Sequence, residues 1–352
     1  MSPVRIGVMS LAHVHAEHYL TRLLRLPGIE LVGFSEPDHA LAEEVSRSLG
    51  VRWFRRHEEL LEQRPDGVVV TSENGRHAEL VELAARAGAH VLCEKPIEVS
   101  LERARAMRDA CRRHGVRFMT AFPMRFDPSV RAVREQLRAG ALGRVLGVNG
   151  INHSEMPAVH RRWFADRALA GGGAVMDHTV HLVDLYRWYF DAEVTSVFAA
   201  VGNPLRPGEV DVDTAGLLLL TLSNGAFASV DCSWSRPPTY PRWGHLKMEI
   251  IGERGGISVD AFAQYLTVYS ARGARHPAWV NWGSDPNDAM LAEFAASIRE
   301  GREPSVTWRD GYEALRVALA AYESAAGGSV VNLERTHTES AGDSGGGGGG
   351  AS

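Results

Sequence analysis

An aspartate and a histidine near the middle of the chain, Asp177 and His181, have the spacing of a proton-transfer pair. They are four residues apart in an apolar segment, so on a helix they lie on one face. A carboxylate beside an imidazole in apolar surroundings suits proton transfer near neutral pH. The alternative is structural: Asp177 would offset the dipole at a helix N-terminus, and His181 would be a hydrogen-bonded core histidine. The pair alone favours the structural interpretation, and a lysine far upstream shifts the balance toward chemistry.

That lysine is Lys95, which follows an apolar run and lies between Glu94 and Pro96. At the end of a parallel strand, with its backbone restricted by the proline, it would direct its ammonium toward a ligand crevice. The local sequence by itself is more typical of a solvated surface lysine. The importance of Lys95 therefore depends on the elements around it.

The first third of the chain alternates short apolar runs with amphipathic segments, which predicts parallel strands separated by helices. This alternation is typical of a doubly wound α/β domain, whose ligand crevice lies at the carboxyl ends of its strands. Ser72, Lys95 and Phe122 all fall on that edge. The predicted strands are residues 4–9, 30–34, 53–54, 67–71, 90–93 and 116–120, and the predicted helices are residues 13–26, 40–49, 58–63, 77–87 and 101–114.

The turn after the first strand lies where a dinucleotide-binding domain has its glycine fingerprint, but the glycines are missing. Ser10 and Ala12 are small enough to let the backbone approach a pyrophosphate, whereas His15 is bulky where a helix packs on the strand. Glu36, roughly 20 residues past the turn, could accept hydrogen bonds from a ribose diol. By itself this pattern supports nucleotide binding and an ordinary βαβ turn about equally.

The chain changes character after residue 122. Short alternating segments separated by Gly, Asn and Pro predict one antiparallel sheet with an open face. The glycines at 171–173 free a loop to pass close to another surface, just before the apolar helix that carries Asp177 and His181. Two late helices could cover the first domain or the sheet. The predicted strands are residues 145–152, 194–201, 215–222, 226–233, 246–251, 256–259 and 265–269, and the predicted helices are residues 128–138, 180–189, 290–300 and 311–325.

Apolar residues in this predicted sheet indicate a contact surface. Leu218, Leu220, Phe227 and Val230 give the sheet more apolar surface than two helices can cover, and a second copy of the chain could bury it. We therefore expect a homodimer or homotetramer packed through residues 194–270.

Composition limits the class of protein. The 352 residues exceed a typical single domain, and 45% hydrophobic with 23% charged residues describe a soluble globular protein. A net charge of -5 argues against a general nucleic-acid binder. Three scattered cysteines argue against a disulfide framework, and the lack of a signal peptide or membrane-length apolar run favours a cytoplasmic protein without membrane contacts. Residues 336–352, polar and then glycine-rich, are predicted to be a disordered tail.

Several motifs resemble the Gfo/Idh/MocA family, which includes glucose-fructose oxidoreductase and inositol dehydrogenase. A Glu-Lys-Pro tripeptide followed downstream by Asp-x-x-x-His is specific when the two occur in this order, and the similarity extends from Val4 to about Leu333. The motifs are residues 5–8 (RIGV), 90–96 (HVLCEKP), 140–143 (GALG), 170–173 (AGGG) with Asp177 and His181, 224–226 (NGA), 233–234 (SW), 310–311 (DG) and 322–324 (YES).

The resemblance implies a Rossmann domain that binds NAD or NADP at residues 1–122, and a second α/β domain with a large open, mostly antiparallel sheet at residues 123–335. It also implies hydride transfer at a carbon that bears a sugar or polyol hydroxyl. Lys95 would donate a hydrogen bond to the substrate oxygen, His181 would take or give the hydroxyl proton, and Asp177 would orient and tune this pair. NAD is expected rather than NADP, because a carboxylate at Glu36 repels a 2′-phosphate.

Further residues are expected to contact the cofactor or the substrate. Among them, the resemblance places Trp163 near the nicotinamide ribose, although the sequence is equally consistent with a core tryptophan. The substrate's identity stays open, because it would depend on loops such as residues 203–212 and 236–243. The cofactor-binding set is Ser10, Leu11, Ala12, His13, Val14, Glu36, Thr71, Ser72, His77, Glu94, Lys95, Arg125 and Trp163. The substrate-binding set is Lys95, His153, His178 and His181.

Two rival interpretations remain open. A metal-dependent lyase or epimerase could use His153, His178 and His181, together with Asp177, as a metal site. The sequence spacing argues against all of them reaching one ion from a regular helix. A non-catalytic sugar or nucleotide sensor could keep the fold with a degraded nucleotide loop. The presence of Lys95, Asp177 and His181 together favours the enzyme, for which no metal is expected.

Overall fold

A computed structural model describes residues 2–269 and 278–334, and the predicted tail at 336–352 lies outside these residues. The first part of the chain forms a six-stranded parallel sheet in the order β3-β2-β1-β4-β5-β6, as predicted. Its strands are β1 (Val4–Met9), β2 (Ile29–Ser35), β3 (Trp53–Phe54), β4 (Gly67–Val70), β5 (His90–Cys93) and β6 (Phe118–Thr120). The helices between them are α1 (Ala16–Leu23), α2 (His39–Leu49), α3 (His57–Leu61), α4 (His77–Arg86) and α5 (Leu101–Arg113).

These elements match the sequence-based prediction to within a few residues, with one larger difference at the start of α1. The helix begins at Ala16 rather than at residue 13. Residues before it form a loop that is tied back to the sheet, since the His13 N–H donates to the carbonyl of Thr71 over 2.9 Å. The loop therefore lies over the carboxyl end of the central strands, where the crevice was predicted.

The second part of the chain forms a seven-stranded sheet in the order β12-β11-β7-β10-β9-β8-β15. It is mostly antiparallel, as expected, but β7 and β10 run parallel. The strands are β7 (Val145–Ser154), β8 (Val194–Gly202), β9 (Ala215–Leu222), β10 (Phe227–Ser233), β11 (Gly244–Gly252), β12 (Gly255–Asp260) and β15 (Val331–Asn332).

The prediction that residues 265–269 belong to this large sheet was wrong. They form β13 (Tyr265–Val268), which pairs with β14 (Ala278–Asn281) in a separate hairpin. The Tyr265 ring stacks on Trp279 at 4.2 Å, and the Arg242 guanidinium lies 4.9 Å from each ring centroid. This local aromatic cluster stabilises the hairpin apart from the sheet.

The remaining helices join the two sheets. Helix α8 packs on β7 and β10 and against α10. Helix α10 also contacts strand β6 of the first sheet and the neighbouring helix α5. Helix α9 packs on the first sheet, where Gly67 leaves room for the side chains of Phe294 and Ile298. These helices are α6 (Pro128–Arg138), α7 (Arg167–Ala170), α8 (Ala174–Phe190), α9 (Pro286–Glu300) and α10 (Trp308–Gly327). No helix in the described parts of the chain is long and apolar enough to cross a lipid bilayer.

The large sheet has one covered and one open face. Three of the residues that we expected on the open face, Leu218, Leu220 and Val230, are instead buried beneath the helices. Side chains alternate along a strand, so their neighbours point outward. The exposed apolar residues of the open face are Phe198, Leu217, Leu219, Phe227 and Ile251.

Candidate active site between the two sheets

The first turn of α8 is anchored by a close approach of three chain segments. The backbone N–H groups of Gly173 and Val175 each donate to the carboxylate of Asp213 over 2.8 Å. The Tyr322 hydroxyl, from α10, donates to the same carboxylate over 2.7 Å and accepts from the N–H groups of Gly173 and Met176. A Cβ atom on Gly172 or Gly173 would overlap Tyr322 or Asp213, so this loop requires glycine. The close approach predicted for the glycine run is therefore present, and it fixes the helix that carries Asp177 and His181.

The end of β5 brings Lys95 to this helix. Its Nζ atom lies 2.6 Å from Oδ1 of Asp177 and donates to the Asp177 carbonyl over 3.3 Å. Lys95 is 4% exposed, so the ion pair is almost entirely withdrawn from solvent. The Lys95–Pro96 peptide bond is cis. The two residues singled out from distant parts of the sequence are thus direct partners.

The second carboxylate oxygen of Asp177 is also occupied. It accepts a hydrogen bond from Nε1 of Trp234 over 3.1 Å and lies 3.2 Å from Nε2 of His178. Burial alone would raise the pKa of Asp177, but the Lys95 ammonium and His178 hold that pKa well below its usual range. Asp177 is therefore ionised, and its charge keeps the buried Lys95 ammonium in place.

His181 faces the same space without joining this network. Its Nδ1 atom is buried and has no hydrogen-bond partner, and its ring packs edge-on to Phe122 at 6.0 Å. Burial, and then the nearby charge of Lys95, hold the pKa of His181 well below its usual value of 6.5. The imidazole is therefore neutral at physiological pH. In the described part of the chain no hydrogen bond joins His181 to Asp177, although both lie on one face of α8.

A cleft of about 940 Å³ opens beside these residues, between the two sheets. Polar side chains from β7, α8 and β11 line it, together with several aromatic side chains. The polar residues include Lys95, Asn152, His153, Ser154, Asp177, His178, His181 and His245. The aromatic residues are Phe164, Trp243, Phe262 and Trp282.

The glycine-poor loop keeps the backbone shape that a glycine fingerprint normally provides. Ser10 has a φ of 74°, in the left-handed region where glycine is favoured. Thr71 stabilises this turn, because its hydroxyl donates to the Ser10 carbonyl over 2.7 Å. Helix α1 begins without a side-chain cap, although the Ala16 N–H donates to the His13 carbonyl over 3.1 Å, so an anion could approach the other N–H groups of its first turn. These features fit the pyrophosphate of a dinucleotide.

Glu36 lies beside this loop, as the sequence predicted. Its carboxylate accepts from the Leu11 N–H over 2.6 Å and from the Ser10 hydroxyl over 3.2 Å. On the other side of the loop, Nε1 of Trp163 donates to the Ala12 carbonyl over 2.9 Å, and Phe164 stacks on the Trp163 ring. Trp163 thus reaches the proposed cofactor loop from the second part of the chain. His13 and Val14 line the cleft directly.

Three residues of the predicted cofactor set hold the protein together instead of facing the cleft. The Arg125 guanidinium is buried and pairs with the carboxylates of Asp184 and Asp310, each at 2.8 Å. The His77 ring lies between the carbonyls of Pro96 and Ser72. Ser72 itself is fully buried. These contacts hold the Arg125 and His77 side chains in place, and a role for either in cofactor binding stays a prediction.

The histidines proposed as an alternative metal site are not brought together. His153 contacts Asp231 through Nε2 at 2.9 Å, whereas His178 contacts Ser154 through Nε2 at 3.1 Å. In the described ranges, the group of residues with metal-ligand spacing does not include His153, His178 or His181. The alternative site therefore stays a prediction, for which the described residues show no ligand cluster.

Two family models match the chain. One is described as an oxidoreductase family with an NAD-binding Rossmann fold and matches residues 4–122; the other, the GFO/IDH/MocA C-terminal domain, matches residues 130–258. The D-xylose 1-dehydrogenase (NADP(+)) 2 of Haloferax volcanii is 31% identical over 87% of this chain and 92% of its own length. The chain belongs to the Gfo/Idh/MocA family of oxidoreductases. Its first domain is accordingly an NAD-binding Rossmann domain.

Other relatives are similar along nearly their whole length. The scyllo-inositol 2-dehydrogenase (NAD(+)) of Bacillus subtilis is 29% identical, over 94% of this chain and 95% of its own. The crystal structure of GenD2 from gentamicin A biosynthesis, in complex with NAD, superimposes with a TM-score of 0.87. At 24% identity, over 95% of this chain and 97% of that one, this likeness shows the same fold.

Several residues of this Gfo/Idh/MocA site were not selected from the sequence as site residues. Trp234 was noted only as part of a motif, and Ser154 and His245 carried no local signal. Asp213 and Tyr322, which anchor α8, lie 36 and 145 residues after Asp177 in the sequence. Their polar groups find partners only through the fold, so spacing along the chain could not reveal them.

Proposed function

We propose that this protein is an NAD-dependent dehydrogenase that oxidises a secondary hydroxyl of a sugar, a polyol or a related compound. The observation that supports this best is the buried Lys95–Asp177 ion pair beside a neutral His181 at the edge of an NAD-binding domain. Relatives named for inositol and xylose oxidation share this family. The same residues would serve the reverse reduction of a carbonyl group.

The loop of residues 10–15 and Glu36 would hold the dinucleotide. The turn at Ser10 and the uncapped N-terminus of α1 suit its pyrophosphate, and Glu36 suits the diol of an adenosine ribose. When bound, NAD supplies the acceptor for the hydride. We assign NAD rather than NADP because Glu36 carries a negative charge where NADP would place its 2′-phosphate.

Lys95 would donate a hydrogen bond to the substrate oxygen. Its ammonium is held by Asp177 in a largely water-free position, where a fixed charge interacts strongly with a developing negative charge. A positive charge near that oxygen stabilises the negative charge that develops on it as the carbon–hydrogen bond breaks. The Asp177 carboxylate holds Nζ of Lys95 in position for this role.

His181 would remove the hydroxyl proton. Because burial and Lys95 disfavour its charged form, the imidazole enters the reaction neutral and able to accept. Asp177 acts on Lys95 directly, so we assign it a positioning role toward Lys95 rather than a direct contact with His181. His178, which links Asp177 to Ser154, would help to hold this arrangement.

The cleft suits a polyhydroxylated substrate. Histidine, asparagine and serine side chains of its lining can exchange hydrogen bonds with hydroxyl groups, and His153 and His178 are the predicted contacts among them. The aromatic side chains that also line the cleft, including Trp243 and Trp282, can pack on the apolar face of a sugar ring. Specificity would arise from the wall residues rather than from the shared Lys95 and His181.

We further propose the remaining properties expected from the sequence. The chain divides into a first domain of residues 1–122 and a second domain of residues 123–335. It assembles as a homodimer or homotetramer through the open face of the large sheet. Its three cysteines, Cys93, Cys111 and Cys232, are free and buried, which suits a reducing cytoplasm.

A substrate panel tests the function. The purified chain is incubated with NAD and, separately, with inositols, aldoses, sugar acids and glycosides, while NADH formation is followed by absorbance. We expect turnover with at least one polyhydroxylated compound and little with NADP. Binding of NAD without turnover on any compound, unchanged by Lys95→Ala, would instead support the sensor interpretation.

A further inference from the structure

Two histidines and a glutamate meet beside the cofactor loop. Nδ1 of His15 lies 2.9 Å from Oε1 of Glu94, and Nδ1 of His13 lies 3.9 Å from the same oxygen. One ligand atom from each residue falls within 4.8 Å of the others. His13 and Glu94 are 1% exposed, whereas the His15 side chain is 37% exposed and reaches the cleft.

We propose that His13, His15 and Glu94 bind a divalent transition metal ion, for which zinc is the representative. Two imidazoles and one carboxylate are a preferred ligand set for such ions. An ion about 2.0–2.2 Å from each ligand would hold the three atoms roughly 3.3 Å apart. The distances from Oε1 of Glu94 to Nδ1 of His15 and of His13, 2.9 Å and 3.9 Å, lie on either side of that value. Small side-chain movements are therefore sufficient to form the site. Across the described ranges, this is the group with suitable spacing.

The ligand atoms take part in hydrogen bonds that an ion would replace. Nδ1 of His13 accepts a hydrogen bond from the His15 N–H at 3.2 Å, which shows that its lone pair is directed into the loop. A metal bond would replace this long contact. The His15–Glu94 contact would likewise be exchanged for two bonds to the ion.

Groups behind Glu94 orient it as second-layer partners orient metal ligands. The Tyr19 hydroxyl donates to Oε1 of Glu94 over 2.6 Å, and the Lys95 N–H donates to Oε2 over 3.1 Å. Their donors remain in place if an ion binds at the third side of the carboxylate. Glu94 is therefore held in position from behind, and the two histidines approach it from the loop.

The position of the site explains why a loop can do without glycine here. His15 occupies the third fingerprint position, where a glycine would let helix and strand pack closely, and an ion would instead tie the start of α1 to the end of β5 through Glu94. Because His13 and His15 line the cleft, the remaining coordination positions would face it. They would take water or an oxygen atom of a bound ligand.

Metal titration of the full chain, prepared without a polyhistidine tag and stripped with a chelator, tests this proposal. We expect one Zn²⁺ per chain by calorimetry, and a visible absorption band when Co²⁺ replaces it. Tyr19→Phe should weaken binding about 10–100-fold, as loss of a second-layer partner does, and His15→Ala or Glu94→Gln should weaken it at least as much. His39→Ala, at an exposed histidine elsewhere, should bind as the wild type does.

Absence of stoichiometric binding by the wild type would overturn the proposal, as would binding that His15→Ala and Glu94→Gln leave unchanged. In either case the three residues are a hydrogen-bonded cluster only. His15→Ala removes a partly exposed side chain, and circular dichroism establishes that the variant is folded. NAD titration of the metal-free chain tests the dehydrogenase assignment separately, because that assignment does not require the ion.

Discussion

Nζ of Lys95 lies 2.6 Å from Oδ1 of Asp177, and the two residues are 82 positions apart in the sequence. This ion pair connects the end of a strand in the NAD-binding domain to the first turn of α8 in the second domain. The pair sits beside His181, whose Nδ1 has no partner. A charge that is already fixed and desolvated requires little reorganisation during reaction, which is the condition under which electrostatic stabilisation is most effective.

Removing Lys95 or His181 should abolish most of the turnover. We expect Lys95→Ala and His181→Ala to lower kcat by about a hundredfold or more, because general acid–base groups typically contribute 10²–10⁴-fold. NAD affinity, measured by calorimetry, should be nearly unchanged. Asp177→Asn should lower kcat by a smaller factor, because the amide oxygen can still accept a hydrogen bond from Lys95. Near-normal kcat in both alanine variants would contradict the assignment.

The oxidation rate should depend on pH in a defined direction. His181 must be neutral to accept the proton, and its lowered pKa keeps it neutral throughout the range above 6.5. We therefore expect kcat/KM for oxidation to show no loss attributable to this group between about pH 6.5 and 8, and to fall only below that range. In Lys95→Met the pKa of His181 should rise, because a repelling positive charge is removed. An acidic limb of the wild-type profile at or above pH 6.5 would count against His181 as the base.

Glu36 should set the preference between the two cofactors. Titration should show NAD binding more tightly than NADP, and Glu36→Ala should narrow the difference by removing a charge beside the ribose. The same variant should lose some NAD affinity, because the carboxylate also holds the Leu11 N–H. Glu43→Ala, on an exposed face of α2, provides the control. An unchanged NAD-to-NADP ratio in Glu36→Ala would remove this residue from the cofactor site.

Tyr322 should act as a positioning residue for α8. Tyr322→Phe deletes a hydroxyl that bonds Asp213 and two N–H groups, so we expect a loss of about 1–3 kcal/mol in the free energy of unfolding. Turnover should fall while KM changes little, because the hydroxyl anchors the first turn of α8, which contains Asp177 and is followed by His181. Tyr312→Phe, on the same helix, removes a hydroxyl that contacts Arg105 and should leave kcat unchanged. Equal changes in kcat in both variants would show that the contacts of the Tyr322 hydroxyl have no specific role in turnover.

The open face of the large sheet should mediate assembly. Light scattering at micromolar concentration should show a dimer or tetramer, and Leu219→Asp should shift it toward monomer by charging an exposed apolar surface. Leu205→Asp provides a matched control, because Leu205 is an exposed leucine outside the sheet. A wild-type monomer, or equal behaviour of the two variants, would contradict an interface at this face.

Hydrophobic periodicity was sufficient to predict the alternation of strands and helices, and with it the parallel sheet, because such periodicity is a local property of the sequence. The sequence also identified Lys95, Asp177 and His181 as candidates, and it placed Glu36 beside the loop at Ser10. These predictions depend on topology: the carboxyl ends of parallel strands meet at one edge regardless of side-chain detail.

The partners of individual side chains could not be predicted, because they depend on how distant segments pack together. Asp177 and His181 share a helical face, yet the carboxylate turns to Lys95 and Trp234, because the strength of buried charge pairing outweighs proximity along the helix. Arg125 is drawn to Asp184 for the same reason. The open apolar face belongs to Leu217 and Leu219 rather than to Leu218, since a shift of one residue in a strand reverses the face and local composition cannot tell which face the helices cover.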